Sequence, residues 1–201
     1  MDRRVFLTAV SAPAFITVLR PLVTVAQDME FQRALERSQR DRPATLGTSA
    51  RIAPPDEPGD ALVIHGRLVA PDGRTPMANS VVFAYHTDHT GIYAPAGSPA
   101  HTWRLRGWAR TDSGGRFEFQ TIRPGSYPSR NQAAHVHFTV FTDEGGFHGG
   151  ALEFDDDPLI GPGDRKRENA SGEFGTIRKV RREGNTQHVD FTIRLNPRQR
   201  F

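Results

Sequence analysis

The chain has 201 residues and no cysteine, so its length suits one domain with terminal extensions, and disulfide staples, thiolate zinc sites and iron–sulfur centres are excluded. Hydrophobic content of 36%, with 19 glycines and 15 prolines, suggests a loop-rich β protein rather than a helical one. The formal charge of +3 falls to +1 when residues 1–26, holding three arginines and one aspartate, are set aside; the basic runs Arg165-Lys166-Arg167 and Arg178-Lys179-Val180-Arg181-Arg182 are interleaved with Glu168, Glu173 and Glu183, so no nucleic-acid partner is expected.

Residues 1–26 read as an export leader. Arg3-Arg4 stands directly before a mostly apolar stretch that runs to Val25-Ala26, an order that resembles a twin-arginine signal and implies a periplasmic or secreted protein. Arg20 and Pro21 interrupt the apolar run, so no permanent membrane span is expected. Within 27–60, Met29 to Arg40 carries Phe31, Ala34 and Leu35 among charges and predicts a short helical arm, followed by a linker rich in Pro43, Pro54, Pro55 and Pro58.

From 61 to 201 short strands alternate with polar turns. The expected strands are Leu62 to Val69, Ser80 to His86, Arg116 to Gln120, Ala134 to Phe141, Ala151 to Phe154 and His188 to Leu195, with turns at Pro71-Asp72-Gly73, Asp112-Ser113-Gly114-Gly115 and Asp143-Glu144-Gly145-Gly146. No helix-length amphipathic run separates them. The expected fold is therefore all-β, an antiparallel β-sandwich, with Leu62, Ile64, Val82, Phe117, Phe119, Val136, Phe138 and Val140 in its core.

The chemistry-bearing residues lie between these strands. In an extended strand His135 and His137 project from one face and can hold one cation together, while Val136 and Phe138 anchor the other face. Tyr127 precedes them, and Tyr93 stands further upstream. Two imidazoles and two phenolates form a hard, partly anionic set that favours ferric iron, Fe(3+). The alternatives are ordinary: Tyr93 and Tyr127 as packing residues, His86 and His89 as solvent-facing loop histidines, Asp155-Asp156-Asp157 as an acidic strand-end turn. Tyr85 is read as core, and Trp103 and Trp108 as an aromatic pocket lining or as packing.

In order along the chain, His65-Gly66-Arg67-Leu68-Val69, Gly91-Ile92-Tyr93, Arg110-Thr111-Asp112-Ser113-Gly114-Gly115-Arg116-Phe117, Thr121-Ile122-Arg123-Pro124-Gly125-Ser126-Tyr127-Pro128, His135-Val136-His137-Phe138 and Leu152-Glu153-Phe154-Asp155-Asp156-Asp157-Pro158 resemble the intradiol ring-cleavage dioxygenases, the family of catechol and protocatechuate dioxygenases. The resemblance implies one non-haem Fe(3+) bound by Tyr93, Tyr127, His135 and His137, with Tyr127 also the ligand displaced when the diol binds. It implies an aromatic diol and O2 as small-molecule partners, and cleavage between the hydroxylated carbons to a muconate-type diacid. Two positions depart from the family pattern: Gln132 occupies the place of an arginine that assists the chemistry, with Arg130 nearby but shifted, and Ala151 occupies the place of a glutamine. Gln132 and Arg130 are accordingly the further catalytic candidates. A transthyretin-like or carboxypeptidase-regulatory-like binding sandwich, and an iron-binding but catalytically silent relative, are the alternatives; a homo-oligomer is left open.

Overall fold

The computed structural model describes residues 22–99 and 101–201. Most of the expected leader lies outside the described residues; helix α1, Leu22–Arg40, begins before the arm read from Met29. Ten strands follow: β1 (Ser49–Arg51), β2 (Ala61–Val69), β3 (Val81–His86), β4 (Leu105–Arg110), β5 (Arg116–Ile122), β6 (His135–Thr142), β7 (Gly145–Phe154), β8 (Ile177–Arg178), β9 (Arg181–Glu183) and β10 (Thr186–Arg194). A second helix, α2 (Pro162–Ser171), lies between β7 and β8. Among the described residues no helix is long and apolar enough to cross a membrane.

The strands form two five-stranded sheets, in the orders β1-β5-β2-β10-β9 and β4-β3-β6-β7-β8. Both sheets are mixed, which corrects the expectation of purely antiparallel pairing: β1 runs parallel to β5, β8 to β7, and β10 to β2 along its whole length from Thr186↔Ala61 to Arg194↔Val69. Parallel partners need a long connection between them, and β2 and β10 have the entire second sheet as theirs. All eight predicted core residues are buried in one cluster between the sheets, joined by Leu68, Phe147, Leu152, Phe154, Val189, Phe191 and Ile193.

The Pro-rich stretch read as a linker carries β1, and its Ile52 and Ala53 are buried in the same core. It is also tied by a forked ion pair, both Glu57 oxygens accepting from Arg104 at 2.6 Å. A second apolar cluster lies on the outer face of the second sheet, where Ala34 and Leu35 of α1 meet Phe83, Tyr85 and Trp103. Strand β3 is thus buried on both faces. Helix α2 has almost no apolar residue to mark it; Pro162 suits its first turn and the Asp164 carboxylate accepts from Gly161 N at 2.9 Å.

Candidate metal centre

Strand β6 delivers two of the four donors. His135 and His137 face the same way, their Nε2 atoms 3.0 Å apart. The Nδ1 of His135 lies 2.8 Å from the Ala133 carbonyl oxygen, which can only accept, so Nδ1 carries the proton and Nε2 offers its lone pair to the centre. The His137 ring stacks on Tyr85, with centroids 4.9 Å apart, and Tyr85 stacks in turn on Trp103. Burial, and secondarily the neighbouring His135, lowers the His137 pKa to about 3, so this imidazole is neutral and able to ligate.

Two loops bring the tyrosines. Thr87 to Arg104 follows β3, and Asp88 organises its start: its Oδ1 accepts from Thr90 N, Thr90 Oγ1 and Ile92 N. Arg104 N donates to the Tyr93 carbonyl and fixes that residue's backbone. The Tyr127 loop runs against the Tyr93 loop so closely that glycine is required on both sides. A Cβ on Gly91, whose φ is +85°, would stand 2.0 Å from the Ser126 oxygen, and one on Gly125 would stand 2.4 Å from the His89 oxygen. Gly125 N donates to Asp88 O and Thr87 Oγ1 donates to Gly125 O, both at 2.8 Å, which locks the two loops in register.

The result is convergence. Tyr93 Oη lies 2.6 Å from Tyr127 Oη, and Tyr127 Oη lies 3.1 Å from His135 Nε2. Donors about 2.1 Å from a first-row cation and at right angles to one another lie about 3 Å apart, so these separations match a shared coordination sphere. Burial, and then the hydrogen bond to Tyr127, raises the Tyr93 pKa above the usual phenol value, which a trivalent cation would have to offset. A cavity of about 700 Å³ opens over Tyr93, Tyr127 and His137, with Phe31, Trp103 and Arg130 in its wall.

All four sequence-predicted ligands therefore meet. Of the other two candidates, Arg130 lines the cavity, its Cζ 5.8 Å from the Tyr127 ring centre. The structure does not bring Gln132 there: it is exposed and outside the cavity lining. Ala151 pairs with His137 in the β6–β7 ladder and presents only a methyl group beside it. His89 is exposed as expected, but His86 is fully buried, its Nδ1 donating to Thr87 O and its Nε2 accepting from Thr121 Oγ1, both at 2.6 Å. The correction follows from strand pairing, since His86 is the last residue of β3 and sits opposite Val136. Asp155-Asp156-Asp157 does form the strand-end turn after β7, closed by Asp157 N donating to Phe154 O at 3.1 Å; within it Asp157 is buried, and its carboxylate accepts from Ala134 N and Leu159 N at 2.9 Å, pinning the start of the histidine strand. The loop glycines and Asp157 carry no signal of their function in the sequence beyond their turn chemistry.

Residues 39–197 match the model of the family described as Dioxygenase. The chain is 34% identical over 125 residues to catechol 1,2-dioxygenase 1 of Acinetobacter lwoffii, covering 53% of this chain and 40% of that protein. The chain belongs to the intradiol ring-cleavage dioxygenase family. The protocatechuate 3,4-dioxygenase beta chain of Burkholderia cepacia is 31% identical over 116 residues, 51% of this chain and 48% of that one, so the chain spans less than half of each relative. The fold also matches that of the intradiol ring-cleavage dioxygenase from Tetranychus urticae, with a TM-score of 0.58, 20% identity, and coverage of 79% of this chain and 91% of that one. Against 3-chlorocatechol 1,2-dioxygenase from Rhodococcus opacus the TM-score is 0.57 at 19% identity, over 76% and 67% of the two chains.

Proposed function

We propose that this chain is a non-haem Fe(III) dioxygenase that opens catechol-type diols between the two hydroxylated carbons. The observation that carries the reading is the unbroken series Tyr93–Tyr127–His135–His137, each neighbouring pair of polar atoms 2.6–3.1 Å apart, beneath a cavity that Tyr93, Tyr127 and His137 line. The donor set fits the metal: two phenolates balance most of the charge of a trivalent cation, so the site can be partly buried without a large unpaired charge. Bound ferric iron would supply Lewis acidity, drawing electron density from a chelated diol so that O2 can attack its ring.

The chain's own residues then have distinct tasks. Tyr93 and His135 are the more fixed donors, one held by the Arg104 backbone and the other by the Ala133 carbonyl. Tyr127 Oη, between Tyr93 Oη and His135 Nε2, is the oxygen placed to take a proton from an incoming diol. Ile92, Tyr85 and Trp103 wall the space in which the ring would lie and limit water around it.

The test is iron content and colour, followed by anaerobic addition of catechol and then oxygen. Ferric tyrosinate absorbs visible light, so protein produced with ample iron is expected to be wine-red with equimolar iron. Its band should shift on catechol binding and change again on oxygen admission as the diacid forms. Colourless, iron-free protein would favour a metal-free binding sandwich, and coloured protein that takes up no oxygen would mark a silent relative.

A further inference from the structure

The cavity over the tyrosines has an uneven wall. Beyond the proposed ligands its wall is mainly apolar, with Phe31, Ile92, Pro95 and Trp103 prominent; His101 and Thr102 add polar groups, and no aspartate or glutamate takes part. One full positive charge reaches it, the Arg130 guanidinium beside the Tyr127 ring. Other arginines are engaged in ion pairs: Arg104 with Glu57, Arg106 with Asp41, Arg123 with Asp156. Arg130 is exposed and, among the described residues, has no carboxylate within ion-pair distance. An unpaired guanidinium at the mouth of a mostly apolar hollow is a preorganised fork for a planar anion. The volume of about 700 Å³ is also of the size that houses drug-like ligands, well beyond a bare benzenediol.

We propose that the preferred substrate is an ortho-diol with a carboxylate on a side arm, and that Arg130 reads the carboxylate at the cavity mouth while Phe31, Ile92 and Trp103 flank the arm. The inference rests on the ring-cleavage reading of the same site. It assigns Arg130 to substrate selection, a task that Gln132, which is outside the cavity lining, does not share.

The decisive comparison is 3,4-dihydroxycinnamate against its methyl ester, which share ring and arm and differ in charge. Anaerobic dissociation constants for the iron-loaded protein and kcat/KM in oxygen are both measured. The acid should bind roughly tenfold to a hundredfold tighter than the ester, the size of a charge-assisted forked contact. That ratio should collapse towards unity in Arg130→Gln and survive in part in Arg130→Lys. Equal affinity for acid and ester in the wild type, an undiminished ratio in Arg130→Gln, or a higher kcat/KM for unsubstituted catechol than for the acid would each overturn the proposal. Tight, charge-selective binding without ring opening would instead overturn the proposed activity and leave the Arg130 assignment standing.

Discussion

Each of the four side chains proposed as donors is held in place by other groups of the protein. The His135 tautomer is set by a backbone carbonyl, the His137 ring by its stack on Tyr85, and the tyrosines by two loops that cross at Gly91 and Gly125. Two variants test this from opposite sides. Tyr127→Phe removes one phenolate from a half-exposed position, so the visible band should weaken and shift, and turnover should be lost, with little change in the melting temperature; an unaltered spectrum would remove Tyr127 from the ligand set. Gly125→Ala touches no donor, yet its methyl would be driven into the His89 carbonyl. That variant should be destabilised by about 1–3 kcal/mol in urea and should lose iron as the tyrosine loops separate, whereas full iron loading would mean that the crossing does not set the site.

At the scale of elements, β6 matters most, because it lines the core with Val136 and Phe138 and presents His135 and His137 on the other side. Its start is fixed by Asp157, whose two oxygens satisfy the backbone amides of Ala134 and Leu159. Asp157→Ala would leave both donors without that acceptor and should cost about 2–3 kcal/mol, read as a lower urea midpoint, with Asp157→Asn recovering part. A variant as stable as wild type would show that Asp157 is not an anchor. The strands with strong alternation, including β2, β5, β6 and β10, were legible in the sequence. Strand β4 was not, because its inward positions are Leu105, Gly107 and Ala109 and the small residues blur the pattern. Strand β1 was hidden among prolines, and β8 and β9 are too short to show a period.

At the scale of the whole molecule, one buried ring links folding to pH: His86 has no solvent exposure. Burial lowers the pKa of His86 from 6.5 to about 4, and the ring is enclosed with Thr121 and Thr87 as partners. Above pH 6.5 the ring is neutral in both folded and unfolded chains, so it contributes no pH dependence. Below that, the unfolded chain takes up a proton that the folded chain refuses until about pH 4. Stability should therefore fall across that window by about 3 kcal/mol through this group alone. Urea unfolding of the metal-free protein between pH 7.5 and 4.5 should show a steeper decline for wild type than for His86→Gln, and parallel declines would place the acid sensitivity elsewhere.

The residues by themselves determined most of the sheet-forming stretches and the buried core set, because alternation and turn chemistry are local properties that need no partner. They also paired His135 with His137, since two residues apart on a strand means one face. Tertiary structure decided what depends on distant segments meeting: the parallel return of β10 beside β2, the sealing of His86 under Thr121, and the choice of Arg130 over Gln132 at the cavity. Side-chain direction in a loop follows from what the loop packs against, and no spacing in the chain encodes that contact in advance.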